Sequence, residues 1–94
     1  MAIKSKVLNT STLFEELKFN RNAALEKYQG QEVKVTGRVK AIVRSSYIVL
    51  DDKVRCTFDA PFFPTNVTDN QKILITGFVT GFDVHVVMEH CAVL

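Results

Sequence analysis

The 94-residue sequence predicts a mainly β protein with one N-terminal helix, in which five strands form a β-barrel capped by the helix. Three observations support this fold class: an amphipathic segment near the N-terminus, alternating apolar and polar residues over the remainder, and glycines inside two of the alternating segments. No part of the chain has the length or composition of a second core. We therefore expect a single domain over residues 1–94, with the helix at about 11–29 and the barrel at about 32–92.

The helix is predicted from capping residues and helical periodicity. Ser11 and Thr12 can accept hydrogen bonds from exposed backbone amides, and the carboxylates that follow suit the positive end of a helix. At about 100° per residue, one apolar stripe faces the barrel. This stripe consists of Leu13, Leu17, Ala24 and Tyr28, flanked by Phe14 and Leu25. Gly30 should end the helix, because glycine adopts the left-handed conformation without a steric penalty.

Five strands are predicted from alternation and from β-branched residues. They cover residues 33–41, 47–50, 54–58, 72–80 and 84–91, with turns expected at 51–53 and 81–83. Segments 35–39 and 75–79 both contain a central Thr-Gly, so we expect Gly37 and Gly77 to mark equivalent bulges or bends that let the sheet curl. The longest irregular link spans residues 59–71.

Composition excludes several classes of protein. A hydrophobic content of 47% excludes disorder, and a net charge of +2 is well below the excess typical of a dedicated nucleic-acid binder. The sequence contains no apolar run long enough for a signal peptide or a membrane span, so we expect a cytoplasmic protein without membrane attachment if the natural chain starts at Met1. Cys56 and Cys91 lie in apolar segments and are expected to be reduced core thiols.

Four segments resemble a known family. They are FNRNAALEKYQGQEVKVTGRV at 19–39, VRCTF at 54–58, ILITG at 73–77 and VVMEHC at 86–91. The sequence resembles the tRNA-anti-like family of small OB-fold proteins over roughly residues 12–91. The resemblance implies a five-stranded OB-fold β-barrel capped by a helix, and a nucleic-acid-binding function that rests on fold analogy. It implies no catalytic residues.

Cations and aromatic residues occur where OB-fold barrels bind ligands, across strands two and three and between the loops that join strands one and two and strands four and five. We predict weak binding of single-stranded DNA or RNA, in which the cations neutralise phosphates and the aromatic rings stack on bases. The candidate residues are Lys34, Arg38, Lys40, Arg44, Tyr47, Arg55 and Phe82. The alternative for the cations is an ordinary solvated strand face that protects the sheet from aggregation.

The alternative function is a protein interface, used by an adaptor, an inhibitor or a homodimer. Phe19 lies on the helix side opposite the apolar stripe, and Phe62 and Phe63 lie between two prolines in the link. An exposed ring at Phe19 or an open strand edge would bind a protein partner, whereas Phe62 and Phe63 could instead pack beneath the barrel. A small-ligand or oligosaccharide barrel is supported by the fold alone.

Motifs for catalysis and metal binding are missing from the sequence. There is no glycine-rich phosphate loop, no nucleophile elbow and no Cys or His pair at zinc-finger spacing. His85 and His90 would point to opposite faces of a regular strand. We therefore expect a protein that is not an enzyme and has neither cofactor nor metal site.

Overall fold

The structure is a computed structural model that describes residues 7–59 and 62–94. In these residues the elements follow the order β1 (Val7–Asn9), α1 (Thr10–Phe19), α2 (Arg21–Tyr28), β2 (Glu32–Val43), β3 (Tyr47–Leu50), β4 (Val54–Thr57), β5 (Lys72–Phe82) and β6 (Val86–Val93). The predicted fold class is confirmed: strands β2 to β6 form a closed five-stranded barrel, consistent with an OB-like barrel, and a helical segment precedes it.

Closure of the barrel depends on the length of β2. Residues 32–38 of β2 pair antiparallel with β5, whereas residues 39–43 pair with β3. Pairing of β2 with the last strand of the order β2-β3-β4-β6-β5 closes the sheet into a barrel. Strand β1 pairs parallel with β2, with Val7 opposite Lys34, and was not predicted. Three residues are too few to show a recognisable period.

The predicted helix over 11–29 is two helices. Asn9 caps α1, accepting a hydrogen bond from the Thr12 amide at 2.9 Å, and α1 ends at Asn20, whose φ of −151° and ψ of 70° are not helical. The Asn20 carbonyl then accepts from the Ala24 amide at 3.0 Å and starts α2. The predicted apolar stripe is confirmed despite the break, because its four members are all buried in the core.

Glu16 joins the two helices across this break. Its carboxylate accepts hydrogen bonds from the Lys27 ammonium group at 2.6 Å and from the Tyr28 hydroxyl. The bond from Lys27, followed by that from Tyr28, lowers the pKa of Glu16, while burial is the main cause that raises the pKa of Tyr28. The angle between α1 and α2 is thus held by a cluster of polar side chains beside the core.

Gly77 lies at a predicted bulge. The register between β5 and β6 shifts between Thr76 and Phe78, which confirms the irregularity at this glycine. A Cβ atom at Gly77 would lie 2.7 Å from the Cys91 Sγ atom, so β6 crosses β5 too closely for any side chain here.

Gly37 has a different role from the predicted one. The pairing of β2 with β5 is continuous through Gly37, and the β2–β3 register shifts at Lys40 instead. Gly37 provides space for Asp51, because a Cβ atom would lie 2.5 Å from the Asp51 Oδ2 atom. That oxygen accepts a hydrogen bond from the Thr10 hydroxyl at 2.5 Å, which ties the start of α1 to the β3–β4 turn.

The last predicted turn also differs from the structure. Residues 81–83 were expected between two strands, but Gly81 and Phe82 pair with Val87 and Val86, and the connection comprises residues 83–85. Gly81 has no positive φ, so it continues the strand rather than turning it.

The core is closed at both ends of the barrel. Leu13 and Leu17 of α1 are fully buried in it, and Phe63 of the link packs edge-to-face on Phe58, with ring centroids 5.5 Å apart. Cys56 and Cys91 are buried and not bridged, as predicted. A hydrogen bond with Cys91, together with burial, raises the pKa of Cys56 well above its usual value.

Candidate nucleic-acid interface

The β3–β4 hairpin presents one side to the core and the other to the barrel exterior. Its inward residues are buried without exception: Ile48, Leu50, Val54 and Cys56. The outward residues are Tyr47, Val49, Arg55 and Thr57, and we refer to these four as the β3–β4 face; Val49 is only 6% exposed, and the other three are half-buried. Alternation along two short strands is sufficient to separate the sets, because successive side chains point to opposite sides of a sheet.

An Arg–Tyr pair occupies this face. Strand pairing places Tyr47 opposite Thr57 and Val49 opposite Arg55, so Tyr47 and Arg55 are diagonal neighbours on the same side. The Arg55 guanidinium lies over the Tyr47 ring, with its central carbon 5.2 Å from the ring centroid. This distance is within the range of a cation–π interaction.

A tight turn bounds the face where β2 passes into β3. The Ser46 amide donates to the Val43 carbonyl at 3.0 Å, Ser45 has a φ of 61°, and the Phe58 amide donates to the Ser46 carbonyl at 3.1 Å. These bonds fix the backbone on both sides of Arg44, whose side chain is exposed. Arg44 therefore lies in a fixed turn three residues before Tyr47, and its contact with a ligand stays a prediction.

The opposite end of the face lies at the β3–β4 turn and the β5–β6 connection. The Val86 amide donates to the Lys53 carbonyl at 2.8 Å, which brings these two loops together. A ligand that crosses the face would thus pass from Arg44 at one end to Lys53 and residues 83–85 at the other.

The structure separates the predicted basic row from this face. Lys34 pairs with Thr76 of β5 and with Val7 of β1, on the half of β2 that does not contact β3. Arg38 and Lys40 both bond the end of the link: the Arg38 Nη1 donates to the Asn70 carbonyl at 3.1 Å, and the Lys40 Nζ to the Asn70 side-chain oxygen at 3.3 Å. These three cations lie on a neighbouring part of the barrel wall, and two of them hold the link in place.

Phe82 packs against a helix instead of lying over the β3–β4 face. It is the last residue of β5, it is half-buried, and its ring meets Phe14 of α1 edge-to-face, with centroids 5.5 Å apart. Its proposed stacking on a base stays a prediction, although its present contact is with α1.

The three predicted interface rings differ in exposure. Phe19 is 78% exposed and Phe62 is 72% exposed, whereas Phe63 is partly buried against Phe58. The two rings that lie between prolines in the sequence therefore differ: Phe63 packs against the core, and Phe62 is exposed. Nothing in the sequence distinguished Phe62 from Phe63.

Sequence reasoning missed the contact between Tyr47 and Arg55. The signal was present in the hairpin, because a turn that pairs Leu50 with Val54 also sets Tyr47 opposite Thr57 and places Arg55 on the same side. Counting outward from the predicted turn would have found the pair.

The two histidines and two thiols of the chain are the side chains that could bind a metal ion or titrate near neutral or mildly alkaline pH. The His90 Nδ1 atom lies 2.8 Å from the Asp59 Oδ2 atom at the surface, and this bond raises the pKa of His90. Among residues 7–59 and 62–94, no three His, Cys, Asp or Glu side chains are close enough together to bind a metal ion. The described site thus consists of cations, hydroxyl groups and aromatic rings.

Comparison with known proteins supports the fold and a family. The family model described as tRNA_anti-like matches residues 2–92. The fold is similar to that of a crystal structure from Klebsiella pneumoniae subsp. pneumoniae MGH 78578 described as a "putative nucleic acid-binding lipoprotein", with a TM-score of 0.71 and 16% sequence identity over 96% of this chain and 92% of that chain. No curated protein matches the chain.

Neither helix described in residues 7–59 and 62–94 is long and apolar enough to cross a bilayer. The cytoplasmic location expected from the sequence stays a prediction, since the Klebsiella protein is described as a lipoprotein.

Proposed function

Because the chain belongs to the tRNA_anti-like family, we propose that its β3–β4 face binds single-stranded nucleic acid weakly, without sequence preference and without catalysis. The observation that carries this proposal is the Arg55 guanidinium stacked over the Tyr47 ring on the two strands where OB-fold barrels bind ligands.

The pair offers both interactions that an unpaired nucleotide needs. A base can stack on the exposed part of the ring or on the planar guanidinium, and the guanidinium N–H groups can donate to a phosphate. Val43, which is 41% exposed and lies opposite Tyr47, adds an apolar border for the sugar or base. With a single aromatic ring on the face, we expect roughly one stacked base, at about 1–3 kcal/mol, and hence weak binding.

The charges at the Arg44 end of the face favour a polyanion, whereas Asp52 and Asp83 are exposed at the opposite end. Within the described part of the chain, neither Arg44 nor Arg55 has a carboxylate at salt-bridge distance, so a phosphate would not have to displace an internal partner. Lys40 and Arg38, with Lys34 farther along β2, can add attraction at longer range. A net charge of +2 keeps this attraction modest and sensitive to salt.

The proposal is tested by fluorescence anisotropy with labelled oligothymidylate and oligouridylate over a series of salt concentrations. We expect dissociation constants of roughly 1–100 µM at low salt and weaker binding as salt rises. Arg55→Ala should lower the affinity and reduce the slope of log K against log salt by about 0.7, the value for one phosphate contact on a single strand. Tyr47→Leu should lower the affinity with the slope unchanged, because it removes a ring and no charge.

Two further variants make the test specific. Arg55→Lys keeps the charge but not the planar stacking group, so it should retain the salt slope and still bind more weakly. Arg21→Ala is the matched control, since Arg21 is an exposed cation on α2, away from the β3–β4 face. The proposal is wrong if the wild-type protein binds neither oligonucleotide, or if Arg55→Ala behaves like Arg21→Ala.

A second candidate function is a protein interface centred on Phe19. The observation in its favour is the 78% exposure of this ring; the Lys18 Nζ atom lies over it, 5.9 Å from the ring centroid. Large exposed aromatic rings are enriched in protein interfaces.

A further inference from the structure

A pocket of about 430 Å³ opens beside the β3–β4 face, where the turn after β2 meets the link. This volume lies within the range of about 300–1,000 Å³ typical of small-ligand sites. Ser45, on the rim, is two residues from Tyr47 in sequence. Ile42 in the wall pairs with buried Ile48, so the pocket lies on the core side of the hairpin end, and the turn at Arg44 and Ser45 separates it from the side that carries Arg55 and Tyr47.

The walls of the pocket combine two kinds of surface. Ile42, Phe63 and Val67 provide an apolar floor that also packs on the core. Arg44, Ser45 and Thr65 provide one cation and two hydroxyl groups at the rim, and none of the described residues that line the pocket is acidic.

The floor is fixed by the fold. Phe63 is held edge-to-face on buried Phe58, and the Phe58 amide bonds the Ser46 carbonyl of the turn that carries Arg44. The apolar floor and the cationic rim are therefore positioned by the same strand end, without dependence on a ligand.

We infer that this pocket holds a single nucleotide of the bound strand, with the base against Phe63 and Val67 and the phosphate at Arg44. The inference rests on the proposed function and deepens it, because it assigns a second subsite and adds the link to the interface. A pocket of about 430 Å³ with an apolar floor, next to a cation that forms no salt bridge within residues 7–59 and 62–94, matches a nucleoside monophosphate better than either half of that molecule. Inorganic phosphate would leave the floor unused, and an uncharged ring would leave Arg44 unused.

The first test is a ¹H–¹⁵N NMR titration of the whole protein with adenosine 5′-monophosphate, adenosine and inorganic phosphate. We expect adenosine 5′-monophosphate to shift the amide signals of Ser45, Thr65 and Val67, and to do so at lower concentration than adenosine or phosphate. Shifts of these signals by phosphate alone at equal concentration would overturn the nucleotide assignment. So would an absence of shifts in the pocket.

The second test blocks the pocket and leaves the β3–β4 face intact. Thr65 lies on the exposed rim, so Thr65→Trp should fill the opening. Asn66→Trp places the same side chain one residue further on, outside the lining of this pocket and in an adjoining cavity that shares Phe63, Thr65 and Val67 with it. We expect Thr65→Trp to weaken oligothymidylate binding by about 5- to 150-fold, the effect of losing one stacked base, and Asn66→Trp to have little effect.

The outcomes distinguish the two proposals. If oligothymidylate binds and depends on Arg55, but Thr65→Trp matches Asn66→Trp, the nucleotide pocket is wrong and the proposed function stands. If adenosine 5′-monophosphate shifts the pocket signals but no oligonucleotide binds, the pocket stands as a mononucleotide site and the proposed function is wrong. Circular dichroism of each variant checks that the fold is retained.

Discussion

Gly77→Ala is the substitution whose cost can be worked out most directly from the structure. An added Cβ would lie 2.7 Å from Cys91 Sγ, 3.2 Å from the Glu89 carbonyl oxygen and 3.3 Å from Cys91 Cα. The first distance is roughly 1 Å short of the optimal separation of non-bonded heavy atoms. Two of the three atoms belong to the β6 backbone and cannot rotate away. We therefore expect the free energy of unfolding to fall by about 1–3 kcal/mol.

Gly81→Ala is the matched control in the same strand. A Cβ there would meet no atom within 4 Å, and Gly81 does not have a positive φ. Its effect should lie between no change and a gain of about 1 kcal/mol, because alanine lowers the entropy of the unfolded chain. Urea unfolding followed by circular dichroism measures both, with an expected loss of roughly 1 M in the midpoint for Gly77→Ala.

Two results would refute this reasoning. One is a Gly77→Ala protein as stable as Gly81→Ala. The other comes from the double mutant with Cys91→Ala, which removes the shortest contact but leaves the Glu89 carbonyl in place. The combined loss should be smaller than the sum of the single losses, and simple additivity would mean that the Sγ contact does not determine the cost.

Two further predictions concern surface groups. Because Asp59 raises the pKa of His90, protonation of this ring stabilises the folded state. The stabilisation is complete below the unfolded-state pKa of about 6.5 and is lost as pH rises through the raised folded-state pKa. An NMR titration should show the His90 pKa falling in Asp59→Asn, and an unchanged pKa would contradict the pairing. If the exposed Phe19 ring forms a homodimer, light scattering should detect a dimer that Phe19→Asp converts to monomer. Phe62→Asp is the control and should leave the dimer intact. A wild-type monomer that also captures no protein partner would rule out the interface at Phe19.

The helical stripe and the hairpin could be predicted because they depend on neighbours in sequence. The spacing of Leu13, Leu17, Ala24 and Tyr28 identified the buried side of the helical segment, even though Asn20 divides it. The break itself was not predictable, since asparagine is tolerated within helices and the non-helical φ of Asn20 accompanies tertiary contacts such as the bonds of Glu16.

The two Thr-Gly segments show where local reasoning fails. They have the same central residues, yet Gly77 lies at a register shift and Gly37 provides space for Asp51. The difference arises from what packs against each glycine: strand β6 lies against Gly77, and the β3–β4 turn lies against Gly37. A repeat in sequence therefore predicted that both positions need glycine, but it did not predict the reason.

The candidate site was predicted as one basic row and is divided in the structure. Alternation correctly placed Lys34, Arg38 and Lys40 on the outside of β2, because the direction of a strand side chain follows from its position in the sequence. Which residues those cations approach depends on pairing partners many residues away. Arg38 and Lys40 meet Asn70, whereas Arg55 meets Tyr47.

Local periodicity thus established the class of fold and the inward sides of its helices and strands. The conformational freedom of glycine identified Gly30, which has a φ of 71° just after α2. The tertiary structure decided which cations share a surface and which aromatic rings remain exposed. The physical reason is that the direction of a side chain follows from local spacing in the sequence. Contact across a closed barrel instead depends on register, which the shifts at Lys40 and Gly77 change without a corresponding change in the local pattern.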